Sequence, residues 1–368
     1  MFLDRLGRTR SNHIVQMRIT VILCTFNRCQ LLAKALDSIA VSTMPESVEW
    51  EVLVIDNNSN DRTREVVEDF CCRYPGRFRY VFESTPGKSH ALNTALVEAQ
   101  GDVLAFMDDD VTVEPTWLHN LTAPLLSGEC VGTGGRILPN WTEAAPSWLP
   151  PEGWYVSGPL ALFDLGAEPG VLTETPFGTN MAFQRKLFDK YGGFRTDLGP
   201  CPGSEIRNED TEFGRRLIAA GEPLRYEPSA VVYHLVSRKR AQREYFLAWW
   251  FDKARADIRE SGIPCDTRWS ICGIPYNLFR RLGRWTFRWM VAVNPRLRFE
   301  CKLKVWLNAG LIVECYHQSH SPKRRGIPAT GAAEGVDTDR KGQNTVHSGH
   351  TPSATKVPLP NAEVPPSR

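Results

Sequence analysis

The chain has 368 residues, 42% apolar and 23% charged, with a formal net charge of +2. That length supplies one large domain or two smaller ones with a full core. The composition is that of an ordinary globular protein, and so small a charge gives no argument for a nucleic-acid partner. The ten cysteines fall in no paired C-x-x-C spacing, so neither a zinc site nor the disulfide framework of a short secreted chain is indicated; reduced thiols are expected. Residues 1–17 are charged throughout without an apolar h-region, and no run reaches the ~18 apolar residues of a spanning helix. The expectation is a cytoplasmic protein, soluble or peripheral on the cytoplasmic face of a membrane.

The run from Arg18 to Phe26 is apolar and rich in β-branched residues, the signature of a strand covered on both faces. Leu32, Leu36 and Ile39 then recur at helical spacing. Glu51 to Asp56 predicts a second buried strand, ending in the turn-forming Asn57-Asn58-Ser59-Asn60. Asp61 is placed to cap a helix with Val66, Val67 and Phe70 inward. Phe78 to Phe82 predicts a third strand, Ser89 to Ala99 a third helix, and Asp102 to Met107 a fourth strand running into Asp108-Asp109-Asp110. From about 130 to 235 the pattern is less regular: Trp- and Pro-rich loops from Asn140 to Trp154, then Phe177 to Phe183, then a helix after Asn208-Glu209-Asp210 with Phe213, Leu217 and Ile218 inward. Beyond 236 come long helices rich in aromatics and bases, and from Ser321 a Pro/Gly/Ser/Thr-rich tail expected to be disordered. The organisation predicted is an N-terminal extension (1–17), a catalytic domain (18–235), a helical basic-aromatic extension (236–320) and a tail (321–368).

Strands alternating with helices of about ten residues predict right-handed βαβ units and a mostly parallel α/β sheet. Ligands of such sheets bind beyond the carboxyl ends of the strands. Phe26-Asn27-Arg28, Asp56-Asn57 and Asp108 to Asp110 all sit there, so three polar clusters converge on one edge. Three carboxylates at the mouth of a hydrophobic strand repel one another, and a cation relieves that repulsion. Hard oxygen ligands suit Mg²⁺ or Mn²⁺, which would neutralise a diphosphate leaving group; a solvated acidic turn is the alternative. Asp56 fits either a nucleobase N–H or the cap of its turn. Lys88, at a helix start, fits a phosphate or a solvated turn position, and the P-loop spacing is absent. Glu209 and Asp210 open a helix whose dipole favours acids there, and one of them suits a general base for a hydroxyl. His234 is either structural or a third metal ligand.

Together, and in this order, these segments resemble the family 2 inverting glycosyltransferases of GT-A fold, from about Ile19 to His234. Thr20 to Arg28 and Val54 to Asp61 are similar to the family's nucleotide loops, Gly87 to Asn93 to its G…A.N helix, and Gly101 to Pro115 to its DxD strand. Phe177 to Asn180 is similar to the acceptor-side loop, and Asn208 to Phe213 to the ED motif. The resemblance implies that Thr25, Arg28 and Asp56 hold the nucleotide, with Lys88 near the base or diphosphate. It implies that Asp108 contacts the nucleotide and shares the metal site with Asp110, with Asp109 close by. Asp210 would be the base, supported by Glu209, and His234 a metal or diphosphate ligand. Phe26 stands where a tyrosine is common and keeps only the stacking face. The QxxRW signature of processive synthases is absent, since Gln242 is followed by Arg-Glu-Tyr, which implies one sugar per encounter. The expected partners are a nucleotide-sugar donor and a saccharide or lipid-linked saccharide acceptor.

In the C-terminal third, eight bases between Tyr276 and Lys304 face one acid, Glu300. Leu278, Leu282, Trp285 and Trp289 share a helical face opposite Arg281, Arg284 and Arg288. Such a helix fits an anionic membrane surface through residues 272–318, and equally a helix packed on the catalytic domain. Among other functions, a dinucleotide oxidoreductase lacks its G-x-G-x-x-G after the first strand, Gly132 to Gly135 coming too late. A sugar-phosphate nucleotidyltransferase would want a Gly-rich phosphate loop there, and a non-catalytic sugar-binding protein has no need of both acid motifs.

Overall fold

The computed structural model describes residues 17–264 and 269–320; the expected tail and nearly all of the expected N-terminal extension lie outside the described residues. The chain opens as β1 (Ile19–Thr25), α1 (Cys29–Ala40), β2 (Trp50–Asp56), α2 (Thr63–Arg73), β3 (Phe78–Phe82), α3 (Lys88–Glu98) and β4 (Val103–Asp108). These seven elements match the sequence expectation within a residue or three at each end. Every residue of β2 is buried, as a strand with helices on both faces requires. Leu32, Ala35, Leu36 and Ile39 turn one stripe of α1 onto the sheet. Asp61 accepts the Thr63 and Cys29 N–H groups at 3.0 and 2.9 Å, so one carboxylate serves the starts of α2 and α1.

Next come β5 (Val111–Val113), α4 (Trp117–Leu126), β6 (Gly132–Trp141), α5 (Ser157–Leu160), β7 (Gly170–Val171), β8 (Asn180–Gln184), α6 (Lys186–Tyr191), α7 (Glu209–Ala219) and β9 (Leu224–Val236). The sheet runs β3-β2-β1-β4-β8-β6-β9-β5, with β7 beside β9. The first four strands are parallel, whereas β8 is antiparallel to both β4 and β6, and β5 to β9. "Mostly parallel" therefore describes the first half, and the second half is mixed. The register carries the functional consequence. Thr25 lies opposite Asp56, Cys24 opposite Asp108, Met107 opposite Asn180 and Val111 opposite His234, so the polar strand ends line up along one edge.

Asn180 ties the two halves together. It accepts the Trp117 indole N–H at 2.8 Å and donates to the Arg136 and Ala230 carbonyls, beside an irregularity in the β6–β9 pairing. Gly135 is required there, because a Cβ would strike the Ala230 carbonyl and the Asn180 amide.

The extension comprises α8 (Arg243–Ser261), the short pair β10 (Ser270–Ile271) and β11 (Ile274–Pro275), α9 (Tyr276–Val291) and α10 (Pro295–His320). Phe246, Phe299 and Leu303 bury with Tyr155 and Val236 in a core of their own, and Arg255 and Arg259 hold the buried Glu314. The Trp face of α9 is not free for a membrane. Leu278 is buried with Ile258 and Cys315, and the Trp289 ring sits 6.4 Å from Trp306 of α10. Among the described residues no helix is long and apolar enough to cross a membrane.

Candidate active site

Three strand ends supply the floor. At the end of β2, the buried Asp56 accepts the Ser59 N–H through Oδ1 and the Tyr80 hydroxyl through Oδ2, each at 2.9 Å. Burial, then the hydrogen bond to that carboxylate, pushes the Tyr80 phenol up to about 12. Asp56 thus caps its own turn, as one of its two sequence readings has it. Asn57 binds the 83–87 turn to this floor, donating to the Thr85 carbonyl and accepting the Gly87 N–H, each at 2.7 Å. Beside β1, Phe26 is 41% exposed with its ring free of aromatic contacts among the described residues.

The acidic triplet divides its contacts. Asp108 accepts the Lys88 ammonium at 2.8 Å on Oδ1 and the Thr179 hydroxyl at 2.6 Å on Oδ2. Burial by itself would raise its pKa, but the Lys88 charge and these hydrogen bonds outweigh it and hold the carboxyl well below the usual range. Asp109 accepts the Thr25 hydroxyl at 2.8 Å and an Arg28 guanidinium N–H at 2.9 Å. Burial raises it to about 6, opposed by Arg28 and reinforced by Asp110. Asp110 is held on Oδ2 by Arg240 at 2.8 Å and by Arg28 at 3.3 Å.

His234 Nε2 lies 3.7 Å from Asp110 Oδ1 and 2.5 Å from an Arg240 Nη. A guanidinium only donates, so Nε2 accepts and the ring proton sits on Nδ1. Burial lowers the His234 pKa, Asp110 opposing and Arg240 adding, which keeps the imidazole neutral. Neutral imidazole is the metal-ligating form. Among the described residues no group of three or more His, Cys, Asp or Glu is disposed to hold a metal. Asp110 and His234 provide two donors, about the number Mg²⁺ takes from protein when phosphates complete its shell.

Across the edge, α7 begins with Glu209 and Asp210. Glu209 is buried 3.5 Å from the Lys88 ammonium. Burial lifts it to about 7, with Lys88 opposing and Asp210 adding. Lys88 itself would be lowered by burial, but Asp108, Glu209 and Asp210 raise it well above the ordinary value. Asp210 Oδ2 accepts the Gly178 N–H at 2.6 Å. Gly178 and Thr179 are neighbours, so one loop holds Asp210 through its backbone and Asp108 through a hydroxyl. Lys88, Asp108, Gly178, Glu209 and Asp210 line one small cavity. A larger hollow between α3, α6 and α7 lies away from this edge, and its Arg185, Arg195 and Arg216 donate to backbone carbonyls.

Of the residues singled out in the sequence, Thr25, Phe26, Arg28, Asp56, Lys88, Asp108, Asp109, Asp110, Glu209, Asp210 and His234 lie along this edge. The sequence singled out the Phe177–Asn180 loop but not the contacts of its Gly178 with Asp210 and Thr179 with Asp108, and it held no sign of Tyr80 or Arg240.

Residues 20–192 match the family described as "Glycosyl transferase family 2". The chain carries a family 2 glycosyltransferase domain. Two curated relatives agree. A glucosyl-dolichyl phosphate glucuronosyltransferase of Haloferax volcanii is 25% identical over 240 residues, 64% of this chain and 75% of the relative. The succinoglycan biosynthesis protein ExoM of Rhizobium meliloti is 29% identical over 234 residues, 63% of this chain and 70% of its own. A mannosyltransferase structure from Pyrobaculum calidifontis shares the fold at a TM-score of 0.51 and 21% identity, covering 82% of this chain and 74% of that one. The glycosyltransferase is thus a transferase enzyme of GT-A fold, with its strand-end acids where that fold class binds ligands.

Proposed function

We propose that this glycosyltransferase moves a single sugar from a nucleoside-diphosphate sugar to a hydroxyl of a saccharide or lipid-linked saccharide, with Asp210 as general base. The observation that carries this reading is the Gly178-Thr179 contact pair, which holds Asp210 and Asp108 from adjacent residues. A base on one side of that loop and a donor-side acid on the other bring both reactants to one place. The anchored Asp210 takes the acceptor proton, while Lys88 supplies positive charge where the diphosphate departs. Glu209, 3.5 Å from the Lys88 ammonium, helps keep it in position. Asp56 and the exposed Phe26 ring offer the nucleotide an acceptor and a stacking face.

Five carboxyls here share three cations, Lys88, Arg28 and Arg240. That surplus of negative charge suits a divalent cation, held by Asp110 and His234, which when bound neutralises charge on the leaving group. The P. calidifontis enzyme was determined with GDP-Man and Mn²⁺, which supports this part. Asp108 drops out of the proposed ligand pair, because Lys88 and Thr179 occupy both its oxygens. It stays as the donor-side acid that positions Lys88. The relatives named for dolichyl-phosphate and succinoglycan chemistry support a glycan or lipid-linked acceptor, which residues 272–318 would meet at an anionic membrane.

A panel of uridine, guanosine and thymidine diphosphate sugars, with Mg²⁺, Mn²⁺ or a chelator, tests the proposal. Binding and turnover of one donor, stopped by the chelator, is expected. Full turnover in chelator removes the cation, and no binding by any donor removes the donor reading.

A further inference from the structure

The outer face of α9 and its turn into α10 carry a surface that the catalytic chemistry does not use. At 100° per residue, Tyr276, Phe287 and Met290 fall on one side of α9, opposite the Trp face covered by α10. Phe287 and Met290 are 62% and 63% exposed, and Val293 in the turn is 93% exposed. Val291 and Leu297 flank them, also exposed. Large apolar side chains rarely cluster in water without a partner.

The neighbouring charges define that partner. Arg280, Arg284 and Arg288 border the stripe along α9, and Arg296 and Arg298 follow in α10. Glu300 is the single acid between Tyr276 and Lys304, and Arg296 engages it at 3.4 Å. Among the described residues no other ion pair involves this stretch. Lys304, half-buried, is pushed down by burial, with Arg281 adding repulsion and Glu300 opposing. This is a crowded positive surface with Glu300 as its one counter-ion among the described residues, edged by an apolar corner.

We propose that the α9–α10 corner is a membrane-docking surface: Phe287, Met290, Val291, Val293 and Leu297 enter the headgroup boundary of an anionic bilayer, and Arg280, Arg284, Arg288 and Arg298 contact its phosphates. Apolar insertion beside arginines is how an interfacial helix binds without spanning. The inference rests on the membrane contact proposed above for residues 272–318, and assigns that contact to the face away from the tryptophans. An anionic bilayer satisfies both the stripe and the arginines; a neutral protein surface would satisfy only the stripe.

Flotation of the full chain with phosphatidylcholine vesicles, with or without phosphatidylglycerol, tests this. The wild type floats with the anionic vesicles, stays behind with the neutral ones and is released by high salt. Phe287→Ser/Met290→Ser/Val293→Ser lowers partitioning by about tenfold or more, and Arg284→Gln/Arg288→Gln/Arg298→Gln by about tenfold. Donor binding, measured in parallel, stays at the wild-type value in both. Should the serine variant lose donor binding through misfolding, the glutamine variant decides. Wild type that stays in solution with anionic vesicles overturns the proposal, as does a serine variant that binds donor and floats undiminished. A dimer that the serine variant makes monomeric, without vesicle binding, overturns it in favour of contact between copies. Failure of the donor reading would show separately, as wild type that floats but binds no nucleotide sugar.

Discussion

On one side of the acidic edge, Asp108 and Glu209 share the Lys88 ammonium; on the other, Asp109 and Asp110 are gripped by Arg28 and Arg240. Lys88 opens α3 and reaches its partners from a largely buried position, so its charge belongs to the fold. Arg28 and Arg240 come from loops; the Arg28 side chain is 47% exposed, whereas Arg240, at 22%, is as covered as Lys88 at 26%. Long, partly solvated side chains can withdraw at small cost. The Lys88 side is therefore preorganised, and on the arginine side Arg28 is the side chain that can exchange, as a half-site that admits a cation has to allow.

Removing the fixed charge has the largest expected effect. Lys88→Met leaves the buried Glu209 and the partly buried Asp108 without a counter-ion, costing on the order of 3 kcal/mol of stability. It also lowers transfer by about 10³-fold or more, since the leaving group loses its cation; a melting curve and a turnover assay check both. Gly178→Ala comes next. A Cβ there would lie 3.0 Å from Asp210 Oδ2, tighter than ordinary contact, so the base shifts and transfer falls by about 10–100-fold with donor affinity kept. On the arginine side, Arg240→Gln frees Asp110 and His234 and tightens Mn²⁺ binding to the donor-free protein by about tenfold, a typical value for a local charge change. Electron paramagnetic resonance titration reads this directly, and unchanged affinity would make Arg240 a fixed strut like Lys88.

A separate effect is on stability against pH, and leaves the chemistry aside. Glu209 rises from 4.5 to about 7 on folding, so its stabilising contribution is full below pH 4.5 and is lost as pH rises through 7. Glu209→Gln removes that dependence. The stability difference between variant and wild type should move toward the variant by on the order of 3 kcal/mol between pH 4.5 and pH 8. A flat difference would mean that Glu209 is charged throughout.

The fixed side was largely legible in the sequence. Unbroken apolar runs announce β1, β2 and β4, and parallel strands place Thr25, Asp56 and Asp108 on one edge without any distance being known. On the arginine side Arg28, Asp109, Asp110 and His234 were legible as well, but Arg240 was not. Arg240 lies six residues after His234 in a basic loop whose spacing has no periodicity, and it meets Asp110 only because β9 pairs with β5 in a particular register. Thr179 is similar, since its contact with Asp108 follows from β8 running antiparallel to β4. In α9 the helical period identified two faces, but which one meets the protein depends on α10, and sequence periodicity does not report a neighbour.

The central claim is that Asp210 acts on the acceptor and the strand-end acids act on the donor. Asp210→Asn, with donor affinity and single-turnover transfer measured on the same preparation, tests it most directly. Near-wild-type donor affinity with transfer reduced by about 10³-fold is expected. Undiminished transfer, or loss of donor binding with the fold intact, would contradict it.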